Sequence, residues 1–377
     1  MLTYARIEAA RRRRWASALL YLTDRCPVGC AHCSVNARPD GARITDWPLF
    51  EQVVSVLCGV ESFEIVGISG GEPFTERRGL VFATDALVAA GKSVVLYTSG
   101  FWGEPAPWAR RVLDRSSCVV LGTDTFHAAR LTDDRVVPAI RAVREAGCWL
   151  VLQAIGTDRD AAALLTRALG AAWRDHAEIH VTGLLTVGRA RSLRTSAPVR
   201  DAPGFGPCTV SDAPVVRYDG RVSACCNETV ITGGGPPALR RQARDAAELA
   251  QSLDSFEADP MLRFISSHGP GPLAPLVGLQ DRRFEHICQL CWRVTRRLGT
   301  DPGASVAALA LFTEHAPDTQ PTPDAPSRQD AEPTPDAQRT PDAQRTSDAP
   351  SRQDAQSTRH VPPTRDVPFA QNEGDVS

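Results

Sequence analysis

Six short runs rich in Val, Ile and Leu recur along the first half of this 377-residue chain: SALLYLT, FEIVGIS, SVVLYTS, CVVLGTD, CWLVLQAIG and EIHVTGL. Between them lie stretches with helical periodicity, namely Trp47 to Gly59, Gly79 to Ala90, Pro107 to Leu113, Asp134 to Ala146 and Arg159 to Trp173. Strand and helix signals in strict alternation imply a parallel sheet joined by right-handed crossovers. Six such units predict an α/β fold, a partial (β/α)6 TIM-like barrel, rather than a closed barrel of eight. In that architecture chemistry sits where strands end and loops begin.

The alternation predicts a barrel over residues 1–200. Residues 201–312 break the pattern, are rich in Gly and Pro, and hold five more cysteines, which marks a small second module. From residue 313 to 377 the chain repeats itself, with DAPSRQDA at 324 and 348 and PDAQRT at 335 and 341. A tail of Pro, Asp, Ala, Gln, Arg and Thr buries too little apolar surface to offset its ordering entropy, so disorder is expected. The net charge of −2 gives no bias toward nucleic acid or anionic membrane. The run Arg11 to Arg14 precedes only eight apolar residues and no small-residue cleavage site, so it is not read as a secretory signal. No segment reaches the length of a membrane span. The expected location is the cytoplasm, where eleven cysteines point to metal ligation or redox chemistry rather than disulfides.

Just past the first strand, LTDRCPVGCAHCSVNARPD places Cys26, Cys30 and Cys33 within eight positions. Clustered thiolates select zinc or iron–sulfur. A zinc site closes a tetrahedron with a second pair or with histidines, and this trio has no fourth cysteine nearby. Three thiolates on a four-iron cluster leave one iron open to a chelating ligand.

CxxxCxxC after a first strand resembles the signature of the radical S-adenosylmethionine enzymes, with His32 where that family usually has an aromatic residue. ISGGEPF, residues 68–74, follows the second strand and resembles the family's GGEP motif. The resemblance implies that Cys26, Cys30 and Cys33 hold a 4Fe–4S cluster. It implies too that Gly70, Gly71, Glu72 and Pro73 meet the methionine end of S-adenosylmethionine. Weaker matches extend it. YTSG brings Ser99 near the cofactor in place of the usual Asn, GTDTFH brings Thr123 and Asp124 toward the ribose, and TVGRAR brings Arg189 toward the carboxylate. His127 is a candidate for substrate contact or proton transfer, against the plainer reading of a hydrogen-bonded loop histidine. The implied chemistry is one-electron cleavage of S-adenosylmethionine to a 5′-deoxyadenosyl radical that abstracts hydrogen from substrate. The electron would come from an external reductant of ferredoxin or flavodoxin type.

The second cysteine group reads CTVSDAPVVRYDGRVSACCN and then CQLC. Asp219-Gly220 is expected to turn a hairpin. The spacing resembles the auxiliary-cluster domain called SPASM, in its shorter twitch form. That resemblance implies an auxiliary 4Fe–4S cluster on Cys208, Cys225, Cys288 and Cys291, with structural zinc as the rival. Cys58, Cys118 and Cys148 are expected in the core. Cys226 is then a spare thiol beside a redox centre, either buried and inert or a hydrogen donor to a substrate radical.

The expected activity is oxidative modification, dehydrogenation or cross-linking, of a peptide or small natural-product intermediate. The alternative is radical epimerisation with Cys226 as hydrogen donor. Only about 25 residues precede the trio, too few for a leader-binding domain. A small substrate or a separate leader-peptide-binding protein is therefore expected. RNA modification is the alternative of another class, and it lacks the basic face it would need; a non-catalytic electron carrier leaves GGEP unexplained.

Overall fold

The computed structural model describes residues 2–156, 158–193 and 199–314. The expected disordered tail lies outside them from residue 315 on, and α12 (Pro302–Glu314) carries the chain one residue past its expected start. Six parallel strands follow the expected runs: β1 (Ser17–Tyr21), β2 (Ile65–Ser69), β3 (Ser93–Thr98), β4 (Cys118–Gly122), β5 (Trp149–Ile155) and β6 (Ala177–Thr182). They pair in chain order and do not close on themselves. Crossovers are made by α2 (Trp47–Gly59), α3 (Arg77–Ala89), α4 (Pro107–Arg115), α6 (Asp133–Glu145) and α7 (Arg159–Leu169), with a single turn, α5 (Thr125–Ala128), before α6.

Local signals explain the boundaries. Asp46 caps α2, its carboxylate accepting from the Leu49 amide at 3.0 Å, and Pro48 sits in the first turn where no amide donor is needed. The helix expected to reach Trp173 stops at Leu169, because Gly170 takes φ +82° at the C-cap and Trp173 falls in a separate short turn.

Strand alternation divides the sheet's two faces. Leu20, Ile68, Leu96, Leu121 and Leu152 pack outward under the crossover helices, in one core with Phe50, Leu57 and Leu80. Val95, Val120 and Val151 turn inward and pack against Ile7 and Ala10. Those two belong to α1 (Tyr4–Arg12), an N-terminal helix that the sequence reading missed. The arginine run is spent on this packing. Arg11 donates to the Tyr97 hydroxyl and pairs with Glu8, Arg13 pairs with Glu64, and Arg14 pairs with Asp212.

Residues 201–312 do not stand apart from the sheet. A two-residue strand, β7 (Arg200–Asp201), leads to β8 (Val215–Arg217), which pairs in parallel with β1. Then β9 (Arg221–Ser223) and β10 (Arg240–Gln242) add on antiparallel, giving nine strands in the order β10-β9-β8-β1-β2-β3-β4-β5-β6. The expected hairpin turns at Gly220, whose φ of +80° and close approach to the Ala243 carbonyl leave no room for a Cβ. Around it lie α8 (Glu228–Ile231), α9 (Ala246–Ala258) and α10 (Pro260–Ser267). A second apolar cluster, with Phe205, Phe264, Leu273 and Val294, joins α10 to α11 (Ile287–Leu298), which follows β11 (Arg283–Phe284), and to α12. No helix among the described residues is long and apolar enough to cross a membrane.

Candidate functional site

The C-terminal ends of β1 to β5 surround a cavity of about 260 Å³. Cys26, Cys30 and Cys33 form one wall; Ser69, Gly70 and Gly71 form the next, followed by Tyr97 and Ser99, then Gly122, His127 and Gln153. A contiguous chamber of about 240 Å³ shares His32, Gly122, His127 and Gln153, and adds Asp124, Thr182 and Glu228.

The two glycines serve packing. The Gly71 amide donates to the Thr23 carbonyl at 2.6 Å, and a Cβ on Gly71 would sit 2.2 Å from the Arg25 carbonyl oxygen. Main chain therefore presses directly on main chain, which fixes the GGEP turn against the segment entering the cysteine loop. The same holds on the far side. A Cβ on Gly188, at φ +61°, would come within 2.4 Å of the Ser34 carbonyl, so Gly188 lets the next residue reach the loop. Arg189 then donates its amide to the Cys33 carbonyl, its Nε to the Cys30 carbonyl and a terminal nitrogen to the Ala37 carbonyl at 2.6 Å. It holds the loop while also lining the cavity.

Glu72 and Pro73, which the resemblance assigns to cofactor contact, do not line the cavity. The Glu72 side chain is fully buried and ties two strand ends together. One oxygen accepts from Thr98 Oγ1 and the Phe74 amide, and the other from the Ser99 amide and hydroxyl. Burial nonetheless raises its pKa, against the lowering effect of those four donors. Pro73 opens the short turn Pro73–Thr75. Thr123, expected near the ribose, does not line either chamber; its amide donates to the Gln153 carbonyl.

Asp124 and His127 form a pair, with Nδ1 2.8 Å from the carboxylate. Burial alone would lower the His127 pKa, but Asp124 and then Cys30 raise it to about 10, which favours the protonated ring. His32 lies 3.7 Å from the same carboxylate, and its buried Nδ1 has no partner among the described residues. Cys30, His32 and His127 bring one donor atom each within 4.8 Å of one another, a set that could also take a divalent ion. Cys26 and Cys33 belong to the cavity wall but not to that set. Three thiols facing one open chamber fit an iron–sulfur group with a free position.

On the other side of the β8–β9 hairpin the remaining thiols converge. Burial raises the Cys208 pKa; burial, and then the neighbouring thiols, raise Cys225 and push Cys288 and Cys291 up to about 12. Cys208 precedes β8, Cys225 follows β9, and Cys288 and Cys291 lie on the first turns of α11. The Asn227 amide donates to Cys288 Sγ at 3.3 Å. Four half-buried thiols close enough to influence one another would suit a fully ligated metal centre, iron–sulfur or zinc. Cys226 interacts instead with Arg11 and Glu228, and lies close enough to Tyr97 to act on it. Cys118 and Cys148 are buried core residues, and Cys58 is partly buried against the core.

Sequence reading missed Tyr97, Gln153, Thr182 and Glu228 as cavity residues. Tyr97 and Gln153 fall on inward positions of β3 and β5, which a period-two reading of each run could have found. Glu228 carries no such signal.

No protein-family model and no curated protein matches this sequence. Solved structures align over most of it. SuiB of Streptococcus suis bound to precursor peptide SuiA covers 76% of this chain and 80% of its own, at 12% identity and TM-score 0.49. BtrN in complex with AdoMet and 2-DOIA covers 71% and 92%, at 13% identity and TM-score 0.42. AnSMEcpe with bound AdoMet and Kp18Cys peptide covers 78% and 99%, at 13% identity and TM-score 0.44. Likeness at this level carries no argument about substrate. The fold places CxxxCxxC after β1 and GG of GGEP after β2 around one cavity, as the resemblance to radical S-adenosylmethionine enzymes implies.

Proposed function

We propose that this chain is a radical S-adenosylmethionine enzyme that oxidises a peptide or small natural-product intermediate, giving a dehydrogenated or cross-linked product. The observation that carries the reading is the single cavity walled by Cys26, Cys30, Cys33 and the Ser69–Gly71 turn. When bound, a cluster on the trio together with S-adenosylmethionine supplies the hydrogen-abstracting radical, and an external one-electron reductant supplies the electron.

The chain's own residues orient and enclose. Gly70 and Gly71 expose backbone to the cavity, Ser99 closes it beside them, and Arg189 fixes the loop that carries the thiols. Glu72 acts as a positioning residue, locking the GGEP turn to the end of β3. His127, held by Asp124, offers a fixed imidazole where the two chambers meet. Glu228 faces the outer chamber and interacts electrostatically with Cys288, which places a carboxylate between substrate space and the second thiol group. An auxiliary four-iron cluster on Cys208, Cys225, Cys288 and Cys291 is the proposed acceptor for the second electron of an oxidation.

The test is anaerobic reconstitution with iron and sulfide, then reduction with dithionite and S-adenosylmethionine. Methionine and 5′-deoxyadenosine are expected in equal amounts. Reconstituted protein that takes up iron on the trio yet forms neither would overturn the reading.

One observation favours epimerisation as a second reading. Cys226 interacts with Arg11, which is bonded to the cavity residue Tyr97. A thiol hydrogen there could quench a substrate radical. Turnover in deuterium oxide separates the two. A solvent deuteron at an inverted carbon, lost in Cys226→Ala, establishes epimerisation; a product two hydrogens lighter, formed equally by that variant, eliminates it.

A further inference from the structure

A second pocket, of about 730 Å³, lies on the outer side of the cysteine loop and shares with the inner cavity only Val35 and Arg189. Its walls are the returning segment of the loop (35–42), the β8–β9 turn and Thr232. Four guanidinium groups line it, on Arg38, Arg189, Arg217 and Arg221, against two carboxylates, on Asp24 and Asp219.

Both carboxylates are engaged. Arg217, almost wholly buried, donates to Asp24 at 2.7 Å and to Asp219 at 3.2 Å, and the Tyr218 hydroxyl donates to Asp24 at 2.8 Å. The other three cations have little to neutralise them. Arg189 bonds only backbone carbonyls. Arg221 has no carboxylate within ion-pair distance among the described residues, and Arg38 meets only the exposed Asp40, at 3.5 Å. The pocket thus has a surplus of two positive charges in a protein whose net charge is −2.

We propose that this pocket binds an acidic segment of a polypeptide. Its volume far exceeds one phosphate, and its cations sit on three separate stretches of chain, an arrangement suited to carboxylates spaced along an extended ligand. Single-stranded nucleic acid would need aromatic faces for stacking. The only ring here, Tyr218, has its hydroxyl committed to Asp24 and the Arg217 guanidinium 5.2 Å from its centroid. Because Arg189 spans both pockets, an occupant here contacts the side chain that fixes the cysteine loop, so it acts at a distance from the reacting centre. The inference stands whether or not the chain cleaves S-adenosylmethionine.

The test is binding, read without reductant or cofactor. A fluorescein-labelled ten-residue peptide alternating Glu with Ser is titrated with the full chain, by anisotropy, beside its Gln/Ser analogue. The acidic peptide is expected to bind at low salt and to weaken as salt is raised. The analogue and the double variant R38Q/R221Q should each bind about tenfold more weakly or worse. R38K/R221K should keep most of the affinity, and R144Q, on the exposed side of α6, should keep all of it. Unchanged affinity in R38Q/R221Q overturns the proposal. So does the absence of binding, full displacement by millimolar inorganic phosphate, or tighter binding of a ten-residue oligothymidylate.

Discussion

The two thiol groups of this protein are built in opposite ways. Cys26, Cys30 and Cys33 come from one loop and face an open chamber. Cys208, Cys225, Cys288 and Cys291 come from three separate stretches, lie half-buried, and stand close enough that neighbouring thiols raise the pKa of Cys225, Cys288 and Cys291. The first arrangement leaves room for a ligand that is not protein; the second supplies four donors and closes on itself. On the proposed function, the difference separates a place where a reactant would enter from a place that would hold a metal and brace the surrounding fold.

The comparison breaks or holds on four measurements. The largest effect belongs to the trio. Replacing Cys26, Cys30 and Cys33 by Ala should lower iron from about eight to about four per chain and abolish 5′-deoxyadenosine formation. Melting temperature should hardly move, because the loop is pinned by backbone bonds and by Arg189 rather than by metal. Iron unchanged in that variant would refute the assignment.

The quartet should behave in the reverse sense. Cys291→Ala should also remove about four irons, yet leave S-adenosylmethionine cleavage measurable while product formation stops, and it should lower the melting temperature markedly. A cleavage defect as deep as the trio's would erase the functional distinction. Zinc in place of iron at this site, read by elemental analysis, would keep the structural contrast and remove the electron-accepting role.

Glu72 gives a smaller effect. In Glu72→Gln an amide NH₂ must face a backbone or hydroxyl donor, at a cost of about 1–3 kcal/mol. The variant should melt several degrees lower near neutral pH. Its pH profile carries a sign. The folded-state pKa of Glu72 is raised, so the wild-type carboxyl contributes stability that is present below the unfolded value of about 4.5 and lost as pH rises through the folded value. The variant should lack that decline, and a parallel slope in both proteins would show that Glu72 does not titrate there.

The smallest effect is expected from deleting residues 315–377, which should leave melting temperature and 5′-deoxyadenosine yield unchanged, since such a composition has no core to contribute.

How legible the two groups were follows from the same contrast. The strands of the barrel announce themselves as unbroken apolar runs, and the trio is local, so β1 to β6 and the cysteine loop could be placed from sequence alone. The extension of the sheet through β8 to β10 could not, because strands of three residues carry no periodicity and the β1–β8 pairing spans nearly two hundred residues. Helix α1 was masked by its own arginines, which read as a charge run until their partners Glu8, Glu64 and Asp212 are known. Glu72 was recognised by its motif, but its bonds to Thr98 and Ser99 were not legible, since a motif names residue types and not the direction in which a side chain points.

The grip of Arg189 on the cysteine loop also sets an order of events. The loop is complete near residue 36, yet the residue that clamps its Cys30, Cys33 and Ala37 carbonyls together arrives only at position 189, beyond β6. A chain emerging from the ribosome at several residues per second would expose the three thiols well before that clasp exists. Contacts of such sequence separation form late. Insertion of a cluster into the trio would therefore follow, rather than guide, assembly of the six-stranded sheet, and the nascent thiols would stay open to oxidation for that interval.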